Sequence, residues 1–155
     1  MPSESASLSW PVITIWVVVN LVNLLQGTGF LSRIRTGDRD INHMLGHGIL
    51  ALAVPAAVAL VAFIRARAGA LNILGPVVFL IFIVVLIAVD YVWLIEFRDP
   101  QRPAVLVPYL LLFFGAIFLM GLPMYRISRP LWLVTVATTV FLLISMGVAM
   151  RRGVG

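Results

Sequence analysis

Five apolar runs, each roughly 20 residues long and continuous rather than alternating, divide the chain at about 10–26, 43–64, 74–95, 104–125 and 131–150. A helix of that length crosses a hydrocarbon core of about 30 Å, whereas a membrane β-barrel would need alternating segments of about ten residues. Helices and closed barrels are the two ways to satisfy every backbone polar group in lipid. The predicted fold is therefore an all-α integral membrane protein, a five transmembrane helix bundle forming a single membrane domain over residues 1–155.

The breaks between runs carry the charge. A polar linker at 28–42 holds Arg33, Arg35, Asp38, Arg39 and Asp40, and Arg65 and Arg67 stop the second run. Gly75 and Pro76 suit the first turn of the third helix, where no amide donor is needed. Glu96, Arg98, Asp99, Pro100 and Pro103 end that helix. Arg126, Ser128, Arg129 and Pro130 make a turn between the fourth and fifth. Nothing before Trp10 carries Lys or Arg, so the first run is expected to be a retained helix and not a cleavable signal peptide.

Composition supports lipid as the main solvent. The 155 residues are 62% hydrophobic and 11% charged, against about a quarter charged in soluble domains. The net charge of +5 comes from arginine alone, scattered between apolar runs, which predicts interfacial anchors and no nucleic-acid partner. Without lysine there is no Schiff-base chemistry. Without cysteine there are no disulfides, iron–sulfur clusters, thiolate haem or thiol redox steps.

With five spans the termini lie on opposite sides, and the arginines can be assigned to faces. Arg65, Arg67, Arg126 and Arg129 share the N-terminal face; Arg33, Arg35, Arg39, Arg98, Arg102, Arg151 and Arg152 share the other. The positive-inside rule puts the richer face in the cytoplasm, N-terminus out and C-terminus in, and the expected location is the inner membrane of a prokaryotic cell. Trp10, Tyr125 and Trp132 then mark the outer interface and Trp93 the inner one.

Polar residues inside the spans are costly and are candidates for function. Asn20, Asn23 and Gln26 recur three apart near the end of the first helix. His43 and His47 are one turn apart at the start of the second, with Asp40 a turn earlier. The third carries Asp90 and Tyr91, then Glu96. All lie in the inner half of their helices. Simpler roles compete: Asp40 or Asp38 as a helix N-cap, the amides as interhelical hydrogen-bond partners, Glu96 as part of a charge cluster with Arg98 and Asp99. Asp90 follows five apolar residues and needs a proton, an arginine such as Arg98, or a histidine as partner.

His43, His47 and Asp90 make a two-histidine, one-carboxylate candidate set for a divalent metal. His43, His47, Asn23, Gln26 and Tyr91 are the candidate cofactor-binding residues. A haem with two histidine ligands takes them from opposite faces, which two residues on one turn cannot supply, so haem implies a single histidine or a ligand shared with another subunit. Gly46 and Gly48 beside His47 would admit a flat cofactor or a second helix. Ala53 and Ala57 form a small-residue pair beside Pro55, and Gly115, Gly121, Pro108 and Pro123 make the fourth helix a candidate for bending. Thr135, Thr138, Thr139 and Ser145 can bond their own backbone within the fifth helix, and the last two helices are expected to be mainly structural.

The expected function is that of an accessory or cofactor-supporting subunit of a larger electron-transfer or quinone-linked membrane assembly. The alternatives are a metal-dependent membrane enzyme using His43, His47 and Asp90, and a proton-coupled transporter or channel acting as a homo-oligomer. The expected partners are the lipid bilayer and either other membrane subunits or further copies of the chain.

Overall fold

A computed structural model of the chain describes residues 8–36, 40–95 and 102–153, with side chains at all of these except 36 and 40–43. Helix α1 spans Trp10–Thr36, α2 Asp40–Ala51, α3 Ala53–Arg65, α4 Ala70–Leu86, α5 Pro103–Ile127 and α6 Arg129–Arg151; α4 runs on into a π-helical turn at Ile87–Val92. Five stretches are long and apolar enough to cross a membrane: Trp10–Arg35, Met44–Arg65, Ala70–Val92, Pro103–Ile127 and Arg129–Arg151. The described chain is a bundle of five apolar helices of membrane-spanning length, with no strand among the described residues.

Several element boundaries differ from the sequence expectation, each for a physical reason. Helix α1 continues past Gln26 to Thr36, because Phe30 and Ile34 keep an apolar stripe running while Ser32, Arg33 and Arg35 occupy other faces of the helix. The second span, Met44–Arg65, carries a local distortion that divides it into α2 and α3. Pro55 has no N–H for the carbonyl of Ala51, and the helix tightens at Leu52, whose N–H is shared between the carbonyls of Gly48 at 3.3 Å and Ile49 at 3.1 Å. Helix α4 begins at Ala70, so Gly75 and Pro76 are not its first turn; both are buried inside the helix.

That interior placement explains the glycine. A Cβ at Gly75 would stand 2.8–2.9 Å from backbone atoms of Met120 and Leu119, so only glycine lets α4 come this close to α5. Prolines add to the same contact. Pro76 and Pro123 deprive the carbonyls of Asn72 and Leu119 of their helical donors, and both residues line a cavity of about 10 Å³, room for one water. Deeper along this seam Phe82 meets Tyr109 and Phe113, each with ring centroids 5.2 Å apart and rings tilted by 66° and 51°.

Helix α1 is the centre of the bundle. It packs on α6, α3, α2 and α5, while α4 packs on α5 and α3. Half of its membrane window is buried, against 22–39% for the other spans. Val18, Val19 and Val22 are closed off completely or nearly so, as are Ala56 and Ala59 of α3. In α3 it is this pair, more than Ala53 and Ala57, that forms the tightly buried small-residue surface. On the outside, Val54, Val84, Leu111 and Phe118 are exposed, which costs little where the solvent is lipid.

The α4–α5 contact makes a test of this packing. Gly75→Ala should destabilise the bundle by about 1–3 kcal/mol, because the backbone it meets cannot swing away as a side chain could. Gly115→Ala, where a Cβ meets nothing within 4 Å, should be neutral or stabilising by up to about 1 kcal/mol. Equilibrium unfolding in detergent measures both, and equal effects would contradict the packing described.

Candidate functional site

Two groups of polar side chains emerge from the fold, on opposite sides of α1. The first lies where α2 meets the π-helical turn. Leu25 of α1 sits 3.3 Å from where a Cβ of Gly48 would be, and Ile49 is buried, so this face of α2 is pressed inward. Met44, His47 and Ala51 consequently point out of the bundle, and all three are exposed.

Tyr91 comes to His47 from the end of α4. The two rings meet edge to face, centroids 5.8 Å apart at 72°, and a Cβ at Gly46 would lie 3.5 Å from the Tyr91 hydroxyl. A π turn inserts one extra residue into a helix, rotating the residues beyond it by about 100°. This turn carries Asp90 and Tyr91, and its wide bonding shows in the Trp93 N–H donating to the Ala88 carbonyl at 2.8 Å and the Ile95 N–H donating to Val89 at 2.9 Å. The chain then leaves through Leu94, whose φ of 49° is the left-handed region, at a cost of about 1–2 kcal/mol for a residue with a Cβ. Asp90 is half-buried beside Tyr91.

The second group runs along the α1–α6 seam. Trp16 Nε1 donates to the Leu131 carbonyl at 2.9 Å, and Asn20 Nδ2 donates to the Trp16 carbonyl at 2.7 Å and to Thr135 Oγ1 at 3.2 Å. Thr138 Oγ1 donates to Asn20 Oδ1 at 2.8 Å. Asn23 Nδ2 donates to Thr138 Oγ1 at 3.1 Å and Thr139 Oγ1 at 3.0 Å. Asn23 is fully buried, and its Oδ1 is an acceptor with no partner among the described residues, a cost of about 1–3 kcal/mol in a dry site.

The sequence-predicted residues divide between these groups. His47 and Tyr91 are brought together, with Asp90 next to Tyr91. His43 is one turn before His47 in α2, but its side chain lies outside those described, as do those of Asp40 and Asn42; Asp38, Arg39, Glu96, Arg98 and Asp99 lie outside the described residues altogether. Among the described residues no three His, Asp or Glu side chains group as metal ligands. Asn20 and Asn23 face α6, not α2, and Gln26 is half-buried one turn further along α1.

The threonines do bond their own backbone: Thr139 donates to the Thr135 carbonyl at 2.8 Å, and Ser145 to Phe141 at 2.8 Å. They also accept from the asparagines, so α6 supplies half of the polar seam. The signal for this was in the chain: Trp16, Asn20 and Asn23 have the same spacing of four then three as Leu131, Thr135 and Thr138. No residue pattern announced the π turn.

At the opposite end of the bundle α1 starts, α5 stops and α6 starts, which gathers Trp10, Tyr125 and Trp132. Tyr125 and Trp132 meet edge to face at 5.1 Å, and the Arg129 guanidinium lies 6.0 Å from the Tyr125 ring centre. Neither a protein-family model, nor a curated protein, nor a solved structure matches the chain.

The asparagine–threonine seam is open to a double-mutant cycle. Asn23→Ala combined with Thr138→Val and Thr139→Val should show a coupling of about 0.5–1.5 kcal/mol in equilibrium unfolding, the range of hydrogen bonds between membrane helices. Additive effects would mean that the two helices do not meet through these groups.

Proposed function

We propose that this multi-pass membrane protein is a small, cofactor-supporting subunit that offers the His47–Tyr91 flank to a partner in a larger electron-transfer or quinone-linked assembly. One observation carries the reading: His47 is exposed on the outside of the bundle, edge to face with Tyr91, rather than enclosed by helices of its own chain. Exposed side by side, the imidazole and the phenol offer hydrogen-bonding and ligating groups to a docked subunit or to a cofactor held at the joint. Met44, 67% exposed on the same stripe, supplies an adaptable apolar contact.

A second reading rests on the helical run of α2. His43 and His47 are four residues apart within it, the spacing that puts two imidazoles on one metal, and Asp90 lies beside the tyrosine that touches His47. Whether as a structural centre or as a catalytic one, the ion would be held at the same flank. Haem at this flank would use one histidine from this chain and its other ligand from the partner.

Mild detergent extraction from the native membrane, followed by size analysis, absorption spectroscopy and metal analysis, tests both readings. The expected result is a complex larger than the 17.0 kDa chain, with association weakened about 30-fold by His47→Leu, the effect of losing an interface hot spot. A monomer with no co-purifying protein, no haem band and the same metal content in wild type and a His43→Ala, His47→Ala variant would sink both.

We further infer an orientation with the N-terminus outside and the C-terminus in the cytoplasm of a prokaryotic cell, from the four arginines on one face and seven on the other. The cysteine-free chain makes this simple to test. A membrane-impermeant maleimide applied to intact cells should label Ser9→Cys and spare Gly153→Cys until the cells are permeabilised. The reverse pattern overturns the assignment.

A further inference from the structure

On the far end of the bundle from His47, α3 carries an open trough of about 630 Å³. It is lined by small side chains, Ala57 and Ala62 half-buried and Ala66 exposed, together with the exposed Val58 and Val61. These positions recur at one-turn spacing, so the trough follows the helix axis for about 13 Å, the direction in which an acyl chain runs in a bilayer. Trp10, the first residue of α1, closes one side, and Arg65 stands at the end of the trough where α3 leaves the membrane window.

We propose that this trough binds one anionic phospholipid, with an acyl chain along the alanines and the phosphate on the Arg65 guanidinium. The charges at this end are complementary to such a ligand: Arg65 and Arg67 end α3 beside the trough, Arg126 and Arg129 lie at the same end of the bundle where α5 gives way to α6, and no acidic residue joins them among the described residues. Arginine forms two parallel hydrogen bonds to a phosphate, and Trp10 sits at the depth where indoles meet headgroups. A second copy of the chain fits the trough less well. A twofold contact along α3 with its axis normal to the membrane would bring Arg65 against its own symmetry mate.

The test uses the full-length protein in detergent with phosphatidylglycerol or phosphatidylcholine of identical acyl chains, read by native mass spectrometry. One phosphatidylglycerol should be retained in preference to phosphatidylcholine. Arg65→Gln should weaken that retention about fivefold, the effect of one cation near an anionic lipid surface. Ala62→Leu, which places a larger side chain in the path of the acyl chain and leaves the charge alone, should weaken retention of both lipids. Arg152→Gln, at the opposite end, should change nothing. Equal retention of the two lipids in the wild type, or retention of phosphatidylglycerol untouched by both Arg65→Gln and Ala62→Leu, overturns the proposal. So does a dimer that Ala62→Leu dissociates with no lipid preference, which would assign the trough to a second copy.

Discussion

Between apolar helices in lipid there is no hydrophobic driving force, because a lipid tail covers a leucine as well as another helix does. The bundle is therefore held in one arrangement by the pairing of polar groups across the α1–α6 seam. Asn20 and Asn23 place amide protons on Thr135, Thr138 and Thr139 across the seam, with the Trp16 carbonyl of α1 itself as the other acceptor for Asn20. That pairing sets both the depth and the rotation of the two helices. Once α1 is held this way its remaining faces are committed, and the valines that back the asparagines become the surface on which α3 and α5 pack.

On the other side of α1 the packing is made by shape. Gly75 brings two backbones into contact, and the aromatic column of Phe82, Tyr109 and Phe113 fills the space beyond. Tight contact of this kind relies on dispersion summed over many atoms. It places α4 at a fixed distance from α5 and so determines where the π turn at its far end delivers Asp90 and Tyr91. Three irregular features of the chain, the distortion at Leu52, the π turn and the left-handed Leu94, lie close to the His47 flank, while a left-handed Arg67 follows α3 at the other end of the bundle. Backbone strain of this sort persists where surrounding contacts over-determine it, which is common at binding sites.

The two ends of the bundle are chemically distinct. One gathers histidine, tyrosine and aspartate on an outward flank beside α2. The other combines arginines with interfacial tryptophan and tyrosine above a trough of alanines. A chain of this size thus presents two chemically different surfaces to its surroundings.

The number and approximate positions of the spans were determined by the sequence alone, because a run of apolar residues near the bilayer thickness satisfies its backbone in lipid as a helix, although α1 runs ten residues past its expected end. The candidate chemistry around His47 and Tyr91 was legible for a similar reason: ionisable groups in an apolar run stand out locally. Which helix each polar face meets was not. Asn20 and Asn23 belong with α6, and not with the histidines close to them in sequence order, because helices that pack together need not be consecutive. Gly75 lies inside α4 where the α5 backbone comes against it, and Tyr91 meets His47 from within a π turn. Those outcomes depend on distances between helices, a property of the assembled bundle that no local run of residues encodes.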